Sequence, residues 1–153
     1  MEQFDREKAQ RVWQRVQARQ SVSPPQYSVN QPPAPEGFVL EELMDGEAFL
    51  QLARQEKEPA NGPLRRLAAQ AQERAAILKG ICRLVGTAYP TQLPKTAGQD
   101  NIQAALRRLM GRLLRRHEQY CQLSEGGEFA PLYQELAQKI QHSMVLLAQA
   151  IGK

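Results

Sequence analysis

Few side chains in this chain are spaced to do chemistry together. Its 153 residues include two cysteines and two histidines. Cys82 and Cys121 lie too far apart for a Cys-x-x-Cys pair or a zinc motif, and each falls in a helical pattern. They read as reduced, partly covered thiols. His117 has no acidic residue three or four positions away. At about 100° per residue, His142 lies well over 90° from the centre of its helix's apolar face and reads as a surface residue. Arg107, Arg108, Arg112, Arg115 and Arg116 fall within ten residues. That run is either a phosphate-binding stripe or a solvated helix flank. With no interleaved aromatics, Glu118 and Glu125 close by and a net charge of only +4, the solvated flank is favoured and nucleic acid is not an expected partner. Glycine-rich phosphate loops, nucleophile elbows and Ser/His/Asp arrangements are absent from the sequence. One carboxylate stands out. Glu47 shares a helical face with Val39, Leu40, Leu43, Met44 and Leu50. A buried carboxylate without a partner costs several kcal/mol or takes up a proton, so Glu47 needs a counter-charge.

The elements that would position these residues are helical. Residues 2–20 form a polar helix whose thin apolar stripe includes Val12, Trp13 and Val16. Such a helix either docks on the bundle or on a second subunit, or serves as a partner-binding arm, and these three residues are the candidate partner contacts. Residues 21–37 carry five prolines and read as an extended linker. A folded unit then spans 38–153. Its first helix runs from about Val39 to Glu56, and its second from Pro63 or Leu64 to Val85, with Asn61 as a candidate N-cap and Gly86 as the stop. After the connection TAYPTQLPKTAGQ, a third helix spans Asp100 or Asn101 to Ser124, and a fourth spans Phe129 to Ile151. A long connection at the middle of a four-helix bundle is the usual place for a crossover between hairpins.

The segment Leu67–Leu78, LAAQAQERAAIL, returns 69 residues later as Leu136–Leu147, LAQKIQHSMVLL. Leu67 aligns with Leu136, Ala68 with Ala137, Gln72 with Gln141 and Leu78 with Leu147. Each copy is the second helix of a pair, so the bundle reads as a duplicated helical hairpin. The hydrophobic content of 42% suits one globular domain. No apolar run approaches the roughly 18 residues of a membrane span, and the charged N-terminus MEQFDREKAQ lacks a signal-peptide core. A cytoplasmic protein with no membrane partner is expected.

The segment DGEAFLQLARQ on the first bundle helix, LAAQAQERAAILKGI on the second and the duplicated pair together resemble rubrerythrin-like members of the ferritin-like superfamily. The resemblance covers about residues 38–151 and implies an all-α, ferritin-like four-helix bundle, here with an extra N-terminal helix. In that family each hairpin supplies an inward Glu and a Glu-x-x-His, which together hold two iron or manganese ions. Of the six implied ligand positions, only Glu47 carries a ligand. The others fall on Ala71, Arg74, Leu113, Ile140 and Ser143. A dinuclear centre needs several carboxylates to neutralise two divalent ions, so no cofactor is expected. Arg74, in an implied histidine position, is instead expected to pair with Glu47 in the core, joined by Arg116; otherwise Glu47 and Arg74 each reach solvent at the bundle edge. The resemblance then implies a non-catalytic bundle acting by contact with a protein partner or by self-association, as a homodimer for example. The alternative is an oxidoreductase or peroxidase with an altered iron or manganese site around Glu47.

Overall fold

The computed structural model describes residues 34–93 and 101–152. The expected N-terminal helix and most of the proline-rich segment, with Val12, Trp13 and Val16, lie outside the described residues. Four helices account for nearly all of the rest: α1 (Pro35–Gln55), α2 (Pro63–Val85), α3 (Ile102–Leu123) and α4 (Ala130–Ile151). No strand occurs among the described residues, and no helix there is long and apolar enough to cross a membrane. The described residues form an all-α four-helix bundle.

Local chemistry sets the boundaries. Pro35 opens α1 in the first turn, where its missing N–H would have no helical partner, so the helix begins inside the segment expected to be linker. The α1–α2 turn is closed by Glu58, whose carboxylate accepts hydrogen bonds from the backbone N–H of Leu64 (3.1 Å) and Arg65 (2.9 Å). Gly62 takes the N-cap position, and this reaching-back carboxylate does the work expected of Asn61. Gly86 stops α2 in the left-handed conformation at φ 75°. Asn101 caps α3 by accepting from the N–H of Gln103 at 2.8 Å.

The direction of each helix follows from side-chain contacts. α1 and α2 form a hairpin, as do α3 and α4. α1 and α3 are antiparallel: Phe38, near the start of α1, lies 4.9 Å from the ring of Tyr120, near the end of α3. Farther along α1, Glu42 meets Arg116 and Asp45 meets Arg112. Since α1 is antiparallel to both α2 and α3, those two run the same way. The order is up, down, down, up. After α2 the chain folds back as far as Tyr89, whose hydroxyl lies 3.5 Å from Arg83 and whose ring lies 5.7 Å from the Lys79 ammonium.

The core is apolar at both ends and charged in the middle. Phe38, Tyr120 and Tyr133 pack as three tilted rings at one end. Leu67, Leu78, Leu136 and Leu147, the matched residues of the repeat, are all fully buried. On α1 the inward face differs from the expected one. Phe38, Glu42, Asp45, Phe49 and Leu52 are buried, whereas Leu40, Leu43, Met44, Glu47 and Leu50 are only half-covered. An apolar-only count turns the helix away from two carboxylates that are in fact its most buried polar groups. Val85, at the end of α2, is 47% exposed.

A charged cluster at the bundle centre as candidate functional site

Glu42 is fully buried, and its carboxylate is the centre of the cluster. One oxygen, Oε2, accepts from Arg74 Nε of α2 at 2.6 Å and from the Tyr120 hydroxyl of α3 at 2.9 Å. The other, Oε1, accepts from Arg116 Nη1 of α3 at 2.7 Å. Arg74 then donates through Nη1 to Ser143 Oγ of α4 at 2.6 Å, and that hydroxyl donates to Gln70 Oε1 of α2 at 2.7 Å. One carboxylate thereby ties all four helices through at most two hydrogen bonds. Arg74 and Ser143 are 69 residues apart, so the contact joins matched positions of the repeat.

A second carboxylate lies beside the first. Asp45 Oδ2 stands 2.7 Å from Arg116 Nη1, and Oδ1 stands 2.8 Å from Arg112 Nε, whose side chain is partly exposed. These are ion-pair distances, but neither oxygen has a well-directed hydrogen bond, and Arg74 Nη2 also lacks one. Arg116 Nε reaches Glu41 at the bundle edge at 3.3 Å. The cluster thus matches Glu41, Glu42 and Asp45 with Arg74, Arg112 and Arg116, three negative and three positive charges.

The electrostatics follow from this balance. Burial works against the Arg116 cation, but Glu42 and Asp45 outweigh it and hold the guanidinium charged. Burial, reinforced by the Glu42 charge, pushes the Tyr120 hydroxyl well above its usual range, keeping it a neutral donor. Burial also lifts the Asp45 carboxyl above its usual range; Arg116 and Arg112 pull it down, and Glu42 adds to the rise.

The structure brings Arg74 and Arg116 together but gives them a different acid. Glu47 is not in the core: its side chain is 37% exposed and stands 3.8 Å from Arg54 on its own helix. The expected Glu47–Arg74–Arg116 cluster is therefore corrected to Glu42–Arg74–Arg116, with Asp45 as a second acid. The physical reason is the rotation of α1. Two long cations from α2 and α3 stabilise carboxylates on the inner face, which leaves Glu47 on the flank. Ala71, Leu113, Ile140 and Ser143 are all fully buried around the cluster. His142 is exposed, and His117 is half-covered with its Nε2 3.7 Å from Cys121 Sγ. Sequence reasoning missed Glu42 and Asp45. The signal available was their phase: Phe38, Glu42, Asp45, Phe49 and Leu52 repeat at intervals of four, three, four and three.

The residues present do not fit an iron or manganese pair. Two guanidiniums already occupy the coordinating oxygens of Glu42, and further divalent cations would sit among three arginines. Among the described residues, no three His, Cys, Asp or Glu side chains are grouped to hold a metal ion. What the arrangement can do is lock four helices in one register. The chain matches no protein-family model, no curated protein and no solved structure.

Two outcomes follow. Arg74→Ala removes one of the two cations that hold buried Glu42 and should lower the unfolding free energy by about 3–5 kcal/mol, whereas Glu47→Ala should change it by less than about 0.5 kcal/mol. Urea unfolding of both variants checks the contrast, and equal losses would contradict it. Asp45 gives a pH signature. Its folded-state pKa lies above the ordinary value of 3.8, so the native state binds this proton first, and its contribution to stability falls as pH rises between those two values. Asp45→Asn cannot titrate. The stability of the wild type relative to this variant should increase as pH falls through that window, and an increase with rising pH would contradict the assignment.

Proposed function

We propose that the chain is a ferritin-like bundle of rubrerythrin-like ancestry in which arginines have replaced the metals, and that it works without catalysis, through contacts with a protein partner or a second copy of itself. The observation that carries this reading is the Glu42 carboxylate, bound at the bundle centre by Arg74 and Arg116 from two different helices. In the di-metal proteins of ferritin-like architecture, inward carboxylates and histidines of facing helices meet in the bundle core. In this chain the bundle centre holds guanidinium forks that match carboxylate geometry and supply positive charge without an open coordination position.

Two further features support it. A single long crossover between two hairpins is the connection of ferritin-like bundles, as distinct from the short loops of up-down-up-down bundles. The matched halves of the repeat also meet each other at the centre, with Arg74 on Ser143, as expected where a duplicated hairpin once supplied equivalent ligands from both copies. The centre's carboxylates are matched by arginines within ion-pair distance, which supports a structural role for the cluster and an activity carried by the exterior. Val12, Trp13 and Val16 remain the candidate contacts of the N-terminal segment.

Elemental analysis after incubation with Fe(II) or Mn(II), beside Glu42→Ala, tests the proposal. Negligible metal in both proteins is expected. One or two ions per chain, lost in the variant, would overturn the reading and favour a metal-dependent oxidoreductase.

A further inference from the structure

The outward face of α3 has a composition that nothing inside the bundle explains. Arg107, Gly111, Leu114 and Glu118 are all exposed, and Leu114 leaves 52% of its surface in solvent. Their spacing of four, three and four residues puts them in one line along the helix at about 100° per residue. This is the spacing of a seam on which a second helix lies. Gly111 sits in mid-helix, where glycine costs about 0.5–1 kcal/mol relative to alanine. A Cβ at that position would meet nothing within 4 Å, so close packing within the chain does not call for glycine there.

We propose that this seam pairs with the same seam of a second copy, the two α3 helices running antiparallel about a two-fold axis between residues 111 and 114. This deepens the contact function proposed above by naming the partner. The sequence of the seam is self-complementary under that operation. Arg107 falls opposite Glu118 of the second copy, and Glu118 falls opposite its Arg107. Leu114 falls over the open surface at Gly111 of the second copy, where a side chain would otherwise stand. Each contact occurs twice, as an isologous interface requires. A parallel pairing would instead set Arg107 against Arg107 and Leu114 against Leu114, leaving Gly111 facing Gly111.

The same arrangement bounds the strength. A seam of about three helical turns buries less than the roughly 1,200–2,000 Å² of stable complexes, and Arg115 stays at its wet rim with its charge solvated. The dimer is therefore weak and concentration-dependent, with two rim ion pairs that fix register and orientation.

Sedimentation equilibrium of the full chain over a concentration series tests this, with circular dichroism confirming that each variant is folded. The wild type should be a reversible dimer by millimolar concentration. Arg107→Glu should weaken association about tenfold or more, Glu118→Arg should do the same, and the two together should restore it, because the swapped charges again face each other. Leu114→Glu should leave only monomer. A chain that stays monomeric at millimolar concentration would overturn the proposal, as would a dimer indifferent to Arg107→Glu or a double variant that fails to recover. None of these results bears on metal content, so failure of the seam is distinguishable from failure of the vacated-site reading.

Discussion

Glu42 is a carboxylate held away from water, and most of the fold can be read as the consequence of meeting its charge. Arg74 and Arg116 reach it from two helices with bonds of 2.6 and 2.7 Å, and Tyr120 adds a third donor. To present Glu42 and Asp45 inward, α1 must turn its charged positions to the core. To reach them, α3 uses long arginine side chains, so α1 and α3 are joined across the bundle by ion pairs as well as by the Phe38–Tyr120 contact. Such a cluster is weak evidence for extra stability, since well-packed apolar side chains of the same volume often do as well or better. Its effect is on uniqueness. A shift of any one helix by one residue would strand a buried charge.

That constraint also explains what could be read from the sequence. The helices and most of their ends were legible because Pro63, Gly86, Asn101 and the glycines at 126 and 127 punctuate strongly periodic segments. The inner faces of α2 and α4 were legible because the repeat and the Leu/Ala pattern agree. The face of α1 was less so. Its burial pattern is set by partners on α2 and α3, at sequence separations of 32 and 74 residues, and the local four-three phase of Phe38, Glu42, Asp45, Phe49 and Leu52 records the face without naming those partners. Arg74 and Arg116 were recognisable as inward cations. Their acid was misassigned by five residues, because Glu47 lies in the wording shared with the resembling family while Glu42 lies before it.

The same chemistry connects fold to function. Three carboxylates face three guanidiniums at the centre, and on the proposed reading this balance moves functional interest to the surface. The α3 helix has a distinct role on each face. Arg112, Arg116 and Tyr120 close the core on one side, and Arg107, Gly111, Leu114 and Glu118 line the other. On the proposed pairing, one helix would couple assembly to the integrity of the charged centre, since the residues that orient it are those that hold Glu42.

The central claim is that Glu42 and Arg74 form one energetic unit in the core. A double-mutant cycle measures this directly, using unfolding free energies of the wild type, Glu42→Ala, Arg74→Ala and the double variant. The account predicts that the double variant is less destabilised than the sum of the singles by at least about 1.5 kcal/mol, because removing both partners leaves fewer stranded charges than removing one. Additive losses, with coupling near zero, would mean that the two groups are independent and that the cluster does not organise the fold.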